Sequence, residues 1–151
     1  MQSGEEPAGS DRREAAAAFM LIPSFRCPAS CAYCFGPHGG EVMSQSTLDA
    51  AVAFMSAVAE ETGRERVQVT FHGGEPLAVG RGLLETAITA LAERFGDHRL
   101  KLGLQSNLWL LDEGIAQMLV KHGVDVGTSI DGPRWITDAQ RGEGYFDRTI
   151  S

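Results

Sequence analysis

The sequence predicts an α/β fold built on a parallel sheet, and three observations support this class. Four short apolar or alternating segments, typical of strands, alternate with longer segments whose apolar residues recur at helical spacing. Strand, loop and helix repeat at roughly 25–45 residues, the order of a parallel sheet with right-handed crossovers. Each glycine-rich or polar signature follows a predicted strand. Because ligands bind at the carboxyl edge of parallel strands, in open sheets and in barrels, we expect these signatures to line one rim.

The composition argues against several classes of protein. The 151 residues include 13 Lys and Arg against 20 Asp and Glu, giving a net charge of −7 and a pI near 5.0. Binders of nucleic acid or of membrane surfaces need a basic footprint, so neither partner is expected. No segment approaches the roughly 18 apolar residues of a membrane span, and no signal peptide is recognisable. An odd number of clustered thiols suits a reducing cytoplasm.

The first two elements are indicated by an apolar run and by helical spacing. The first strand is predicted over residues 17–22 and stops at Pro23. Either Ser44 or Ser46 can cap the first helix, which continues to about Glu61. The apolar positions of this helix are Leu48, Val52, Met55 and Val58.

The next elements follow the same alternation of strand and helix. Alternating apolar residues predict the second strand over residues 67–71, and the helix after it ends at Gly96. Leucine at every second position predicts a third strand over residues 100–104. Asp112 can cap a third helix, which Gly123 closes. The apolar positions of these two helices are Leu84, Ile88, Leu91 and Phe95, then Ile115, Met118 and Leu119.

The end of the chain predicts one more strand and the start of one more helix. Val124, Val126 and Ile130 indicate a fourth strand that runs into the polar turn Ser-Ile-Asp-Gly-Pro. A fourth helix is expected to begin at Tyr145. This arrangement would leave an apolar fourth strand at the edge of the sheet, which intact proteins avoid.

The three cysteines of the chain lie together in the loop after the first strand, at Cys27, Cys31 and Cys34. Thiolate is the preferred ligand of zinc, copper(I) and iron–sulfur clusters. Three thiols are one short of a closed four-thiolate site, so another residue completes the shell or one position stays open for chemistry. A zinc site would take His38 as its fourth ligand, in a Cys3His shell. An iron–sulfur cluster would keep its fourth iron free.

Three motifs in this order resemble those of the radical S-adenosylmethionine (SAM) enzymes. The loop matches the Cys-x3-Cys-x2-Cys signature of that family, with Tyr33 as the aromatic residue before the last cysteine. Residues 73–76, Gly-Gly-Glu-Pro, look like its glycine-rich motif. Residues 129–133, Ser-Ile-Asp-Gly-Pro, are similar to the version in peptide- and protein-modifying members, including the anaerobic sulfatase-maturing enzymes. The resemblance covers about residues 17–151.

The resemblance implies a [4Fe–4S] cluster on Cys27, Cys31 and Cys34, with SAM on the fourth iron through its amino nitrogen and carboxylate. Reduction would cleave SAM and release a 5′-deoxyadenosyl radical that abstracts hydrogen from the substrate. Glu75 and the backbone of its motif would hold the SAM ammonium, and Arg141 would pair with the SAM carboxylate. For the polar residues, a turn, cap or surface role is the alternative. The residues expected to bind SAM are Tyr33, Gly73, Gly74, Glu75, Pro76, Ser106, Asn107, Ser129, Asp131 and Arg141.

The implied fold is a partial (β/α) TIM-like barrel with about four β/α units over residues 15–151. Residues 1–14 are polar, and we expect a disordered leader there. Because the family core usually has six units, we expect truncation at the C-terminal end. The implied function is modification of a peptide or protein side chain, with a low-potential electron donor such as flavodoxin or ferredoxin. The alternatives are radical SAM chemistry on a small molecule and a non-catalytic metal-binding or interaction remnant.

Overall fold

The computed structural model describes residues 15–150, which form one four-stranded parallel sheet in the order β1-β2-β3-β4. The strands are β1 (Ala17–Leu21), β2 (Val67–Phe71), β3 (Leu100–Gln105) and β4 (Asp125–Gly127). The helices are α1 (Gln45–Glu61), α2 (Arg81–Phe95), α3 (Glu113–Lys121), α4 (Arg134–Arg141) and α5 (Tyr145–Ile150), with a 3-10 helix over Pro76–Val79. The predicted parallel α/β fold is confirmed, whereas the leader predicted over residues 1–14 lies outside the described residues.

Alternation along the strands places the apolar core on one face of the sheet. Val67, Val69 and Phe71 are fully buried there, and Leu102 and Leu104 of β3 pack beside them. Helices α1 to α3 cover this face with the apolar residues that their spacing predicts. The buried helical residues are Leu48, Val52 and Met55, then Leu84, Ile88, Leu91 and Phe95, and finally Ile115, Met118 and Leu119.

The opposite face of the sheet is more polar and more exposed. Met20 is 59% exposed, and Gln68 and Thr70 are half-buried. On the same face, the Lys101 ammonium lies 3.1 Å from the Asp125 carboxylate. A parallel sheet with helices such as α1 to α3 packed on one face is the arrangement of a partial barrel. In the part of the chain that the structure describes, no helix is long and apolar enough to cross a membrane.

Helices α1 and α3 begin at predicted caps. Ser44 Oγ accepts a hydrogen bond from the Thr47 N–H at 3.2 Å, so Ser44 rather than Ser46 caps α1. Asp112 Oδ1 accepts from the Ile115 N–H at 2.7 Å and caps α3. Each cap satisfies a backbone donor that the first turn leaves unpaired.

The fourth strand is shorter than its apolar pattern predicts. It covers Asp125–Gly127 and does not reach Ile130, so that part of the prediction is wrong. The strand pairs with the last residues of β3, and the Ser106 N–H then donates to Gly127 O at 3.0 Å. Beyond this bond β3 turns into a loop, so the fourth strand has no neighbouring backbone there. Ser129 consequently lies in the loop that follows the strand.

The fourth helix begins earlier than predicted. Helix α4 spans Arg134–Arg141, ahead of the predicted start at Tyr145, and the shorter α5 follows it. Pro133 precedes this helix and Gly142 ends it. Proline at the start and glycine just past the end are typical of a helix, so the sequence did contain a signal for α4.

Candidate cofactor site

A cavity of about 210 Å³ lies at the carboxyl edge of the sheet, among the loops that follow all four strands. The cysteine loop, residues 27–34, contributes its three thiols to the lining. Pro76 and Asp131 lie behind the lining, at the start of the 3-10 helix and beside Arg141. The predicted residues that line the cavity are Tyr33, Gly73, Gly74, Glu75, Ser106, Asn107, Ser129 and Arg141.

Two glycines let the cysteine loop cross the end of β2. A Cβ on Gly73 would lie 2.5 Å from Ser24 O, and one on Gly74 would lie 2.4 Å from both Phe25 O and Arg26 O. The Gly74 N–H donates to Ser24 O at 3.1 Å. The backbone that approaches these glycines most closely is therefore the segment entering the cysteine loop.

Glu75 is a buried acceptor that connects two strand ends. Its side chain is 1% exposed, and its Oε1 accepts from the Leu77 N–H at 3.0 Å and from Ser106 Oγ at 2.8 Å. Its Oε2 accepts from the Asn107 N–H at 2.7 Å. Burial raises the pKa of Glu75, while these hydrogen bonds oppose the rise. The carboxylate thereby fixes the loop after β3 against the end of β2.

The loop after β3 turns sharply at Asn107. The Asn107 Oδ1 accepts from the Trp109 N–H at 3.0 Å, and Ser106 Oγ accepts from the Leu108 N–H at 2.9 Å. Leu108 has a φ of 66°, in the left-handed region that asparagine and glycine tolerate best. The turn directs the Asn107 amide at the cysteine loop, where Nδ2 lies 3.8 Å from Cys27 Sγ.

Asp131 and Arg141 pair with each other through two hydrogen bonds. Arg141 Nε lies 2.7 Å from Asp131 Oδ2, and Nη2 lies 2.9 Å from Oδ1. The guanidinium lowers the pKa of Asp131, and the bond to Asp131 raises the pKa of Arg141. The Tyr33 hydroxyl donates to the same carboxylate at 2.9 Å, and burial together with this bond raises the pKa of Tyr33 to about 12. Asp131 and Arg141, which were expected to bind SAM, are thus already hydrogen-bonded to each other.

The segment after β4 folds over the cysteine loop. The Ala32 N–H donates to Gln140 O at 2.7 Å. The Arg141 guanidinium carbon lies 5.4 Å from the Tyr33 ring centroid and 5.2 Å from that of Tyr145. Such stacking on aromatic faces adds to the ion pair. Helix α4 thereby connects the first loop of the sheet to the last one.

Two aromatic residues that the sequence motifs do not reveal are Tyr145, which lines the cavity, and Trp109, which packs against Tyr145. Tyr145 is 2% exposed, lines the cavity and has its ring 5.2 Å from that of Trp109. The Trp109 Nε1 donates to Thr149 Oγ1 at 3.1 Å, which attaches α5 to the loop after β3. Neither aromatic lies within a motif, and their proximity depends on the tertiary fold.

The remaining polar candidates have ordinary partners. Gln105 Nε2 donates to Ser129 Oγ at 2.9 Å, and His72 Nδ1 accepts from the Gly73 N–H at 2.7 Å. His38, the zinc alternative, is exposed at the cavity and has a φ of 54°. Within residues 15–150, no three His, Cys, Asp or Glu side chains converge closely enough to hold a single metal ion. A four-iron cluster takes a different iron on each thiol, so it does not need such convergence.

The three thiols lie in different electrostatic surroundings. Burial raises the pKa of the Cys27 thiol, and the nearby Glu75 adds to the rise. Burial also raises the pKa of Cys31, but the Arg141 charge opposes it. Cys34 is exposed. Since metals and clusters bind thiolate, loading this loop must release protons.

Replacing Asp131 by asparagine is expected to lower the free energy of unfolding at neutral pH by about 1.5–3 kcal/mol, the usual contribution of hydrogen bonds to a charged group. The folded-state pKa of Asp131 lies below its unfolded-state value, so the contribution is complete above the unfolded-state pKa. It is lost as the pH falls through the folded-state pKa, and the two proteins should converge in acid. Urea denaturation over a range of pH measures this difference.

The control for this experiment is Asp125→Asn. The ion pair of Asp125 with Lys101 is exposed, with 71% and 66% of the two side chains accessible. A surface pair of this kind contributes about 0–1 kcal/mol. Equal and pH-independent losses in the two variants would contradict a special role for the Asp131 pair.

Comparisons with known proteins agree with this geometry. The family model of the radical SAM superfamily matches residues 21–151. An uncharacterized protein of Methanothermobacter thermautotrophicus is 38% identical over 132 residues, which are 87% of this chain and 49% of that protein. The serine-type anaerobic sulfatase-maturating enzyme of Klebsiella aerogenes is 26% identical over 120 residues, 76% of this chain and 29% of that enzyme. The solved structure of anSMEcpe with bound AdoMet and the Cp18Cys peptide has a TM-score of 0.75 and 26% identity, covering 90% of this chain and 38% of that one.

These relatives are longer than the described core. The chain spans about half the length of the archaeal relative and between a quarter and two-fifths of the two maturating enzymes. The match supports the predicted cofactors, a [4Fe–4S] cluster and SAM, and the predicted partial TIM-like core. The three-cysteine loop and the partial barrel agree with the family match, and this chain belongs to the radical SAM superfamily.

Proposed function

We propose that this chain forms the cluster- and SAM-binding part of a radical SAM enzyme that modifies a peptide or protein side chain. One observation supports the proposal: the same cavity is lined by three thiols and by residues that follow the other three strands. Soft thiolate donors at an open rim suit an iron–sulfur cluster with one free iron.

The residues present fit this cofactor pair. Cys27, Cys31 and Cys34 would hold three irons, and the backbone of Gly73 and Gly74 would border the SAM. The two glycines have no Cβ that could fill the space between β2 and the cysteine loop. When bound, the reduced cluster supplies the electron that cleaves SAM and starts radical chemistry on the substrate.

The chain itself contributes position and shielding. The Glu75 carboxylate joins the ends of β2 and β3 at the cavity. The Tyr33 bond to Asp131 and the Gln105 bond to Ser129 hold the segment after β4 against the cysteine loop and the end of β3. Tyr145, buried beneath Arg141, closes the cavity on the side of the last helix. Fixed loops of this kind keep reacting groups in alignment and exclude water.

The substrate class rests on the relatives. Both maturating enzymes in the comparison act in sulfatase maturation by name, and one was solved with a bound peptide. We infer a peptide or protein substrate for the enzyme to which this core belongs, with a low-potential protein such as flavodoxin or ferredoxin as electron donor.

Anaerobic reconstitution with iron and sulfide is expected to give a protein with about four irons per chain. Cys31→Ala should abolish this loading, because it removes one of three thiol ligands. His38→Ala should leave it unchanged, because His38 is not a ligand in this proposal. Iron and sulfide analysis, with zinc measured in the same samples, distinguishes the two metals. Loss of bound zinc in His38→Ala, with no iron in the parent protein, would refute the proposal.

The peptide assignment has its own test. The reconstituted chain, with dithionite and SAM, is incubated with peptides that carry an oxidisable serine or cysteine, and the products are analysed by mass spectrometry. Release of 5′-deoxyadenosine that increases with peptide supports the assignment. The assignment would be contradicted if a small-molecule substrate increased the release of 5′-deoxyadenosine and no peptide did.

A further inference from the structure

Asn107 is placed to donate a hydrogen bond to one of the three thiols. The residue is 8% exposed, and its Nδ2 lies 3.8 Å from Cys27 Sγ. The sulfur belongs to the loop after β1, whereas the amide belongs to the loop after β3. The contact therefore spans the rim of the cavity.

The chain fixes the direction of this amide. The Asn107 Oδ1 already accepts from the Trp109 N–H at 3.0 Å. The Asn107 backbone N–H donates to Glu75 Oε2 at 2.7 Å, so the residue is held at both its backbone and its side chain. With the oxygen engaged by Trp109, the NH2 group is the end that faces Cys27.

The other two thiols have different neighbours. The Arg141 charge acts on Cys31, and Cys34 is exposed. In residues 15–150, the side-chain hydrogen bond that joins a cysteine sulfur to a different loop is the one from Asn107 to Cys27. The three cysteine ligands of a cluster at this site would thus have different surroundings, and Cys27 would be the one that faces the Asn107 amide.

We propose that Asn107 sets the reduction potential of the bound cluster through its hydrogen bond to the Cys27 sulfur. This inference rests on the proposed function, because it needs a cluster on the three thiols. Hydrogen bonds to cluster sulfurs are among the factors that determine the potential of an iron–sulfur centre. The reduced cluster carries one more negative charge, so a donor at the sulfur stabilises it and raises the potential. Asn107 acts here through a ligand and is a positioning residue.

The test compares reduction potentials of reconstituted variants without SAM, by dithionite titration monitored by electron paramagnetic resonance. Asn107→Asp keeps the oxygen that accepts from Trp109 but loses the amide donor. Asn107→Asp is expected to lower the equilibrium constant for one-electron reduction of the cluster at least tenfold. This corresponds to a reduction potential lower by about 59 mV. Asn107→Ala removes the donor without adding a charge, so its potential should shift in the same direction by a smaller amount.

Gln105→Glu is the matched control for the added charge. Gln105 lines the same cavity, but its amide donates to Ser129 and makes no contact with a thiol among the bonds described. The control should lower the potential less than Asn107→Asp. Equal shifts in these two variants, or a wild-type potential in Asn107→Ala, would overturn the proposal. Iron content of the wild type tests cluster binding separately, so a failure of the proposed function is distinguishable.

Discussion

Replacing Gly74 by alanine is expected to detach the cysteine loop from the end of β2 and to prevent cluster assembly. The new Cβ would lie 2.4 Å from two backbone oxygens, those of Phe25 and Arg26. Backbone atoms cannot move aside as a flexible side chain can, so the upper end of the usual overpacking loss, about 3 kcal/mol, is expected. The displacement would also break the bond from the Glu75 N–H to Arg26 O. Urea denaturation and iron content after reconstitution measure the two effects.

Gly82→Ala is the matched control for this change. Gly82 lies in the first turn of α2, and a Cβ there would have no atom within 4 Å. Alanine is favoured over glycine in a helix by about 1 kcal/mol, so this variant should be as stable as the wild type or more so. Normal iron loading in Gly74→Ala would show that the loop tolerates the clash and would refute the prediction.

Glu75→Ala is expected to have the second large effect, a loss of about 3 kcal/mol or more in the free energy of unfolding. The variant leaves the donors of Leu77, Ser106 and Asn107 without their acceptor, and each buried unpaired group costs about 1–3 kcal/mol. Glu75→Gln retains one carbonyl oxygen and should lose less. Chemical denaturation of the two variants gives the comparison.

An exposed glutamate provides the control for Glu75. Glu93 lies on the outside of α2, and its replacement by alanine should change stability by no more than about 0.5 kcal/mol. A Glu75→Ala protein as stable as Glu93→Ala would show that the carboxylate does not hold the two strand ends together. SAM affinity, measured by calorimetry on reconstituted Glu75→Gln, then tests the role in cofactor binding that the family motif predicts.

The fold could be predicted from the sequence because its signals are local. Helical spacing in α1 to α3, the alternation in β2 and caps such as Ser44 and Asp112 each depend on a few neighbouring residues. The end of β4 depends instead on where β3 leaves the sheet, which no local pattern near Ile130 reveals. The prediction was wrong there for this reason.

The cavity was predictable in outline, but the partners of its residues were not. The order of the motifs placed the glycines and polar residues at the strand ends, and the structure brings them to one rim. The pairing of Asp131 with Arg141 joins residues that the family resemblance assigned separately to SAM. Likewise, the close approach at Gly74 involves Phe25 and Arg26, and their arrival depends on the path of the preceding loop.

The contacts of the cysteine loop also determine when it can become ordered during synthesis. The thiols leave the ribosome before β2, β3 and β4, but Tyr33 and Asp131 are 98 residues apart in sequence, and the Ala32 partner, Gln140, is farther still. Contacts between such distant residues form only after the intervening strands are in place, because their loop-closure entropy is large. The cysteine loop therefore remains accessible at least until β4 has joined the sheet. A cluster could be inserted throughout that interval, and α4 would close over the loop only afterwards.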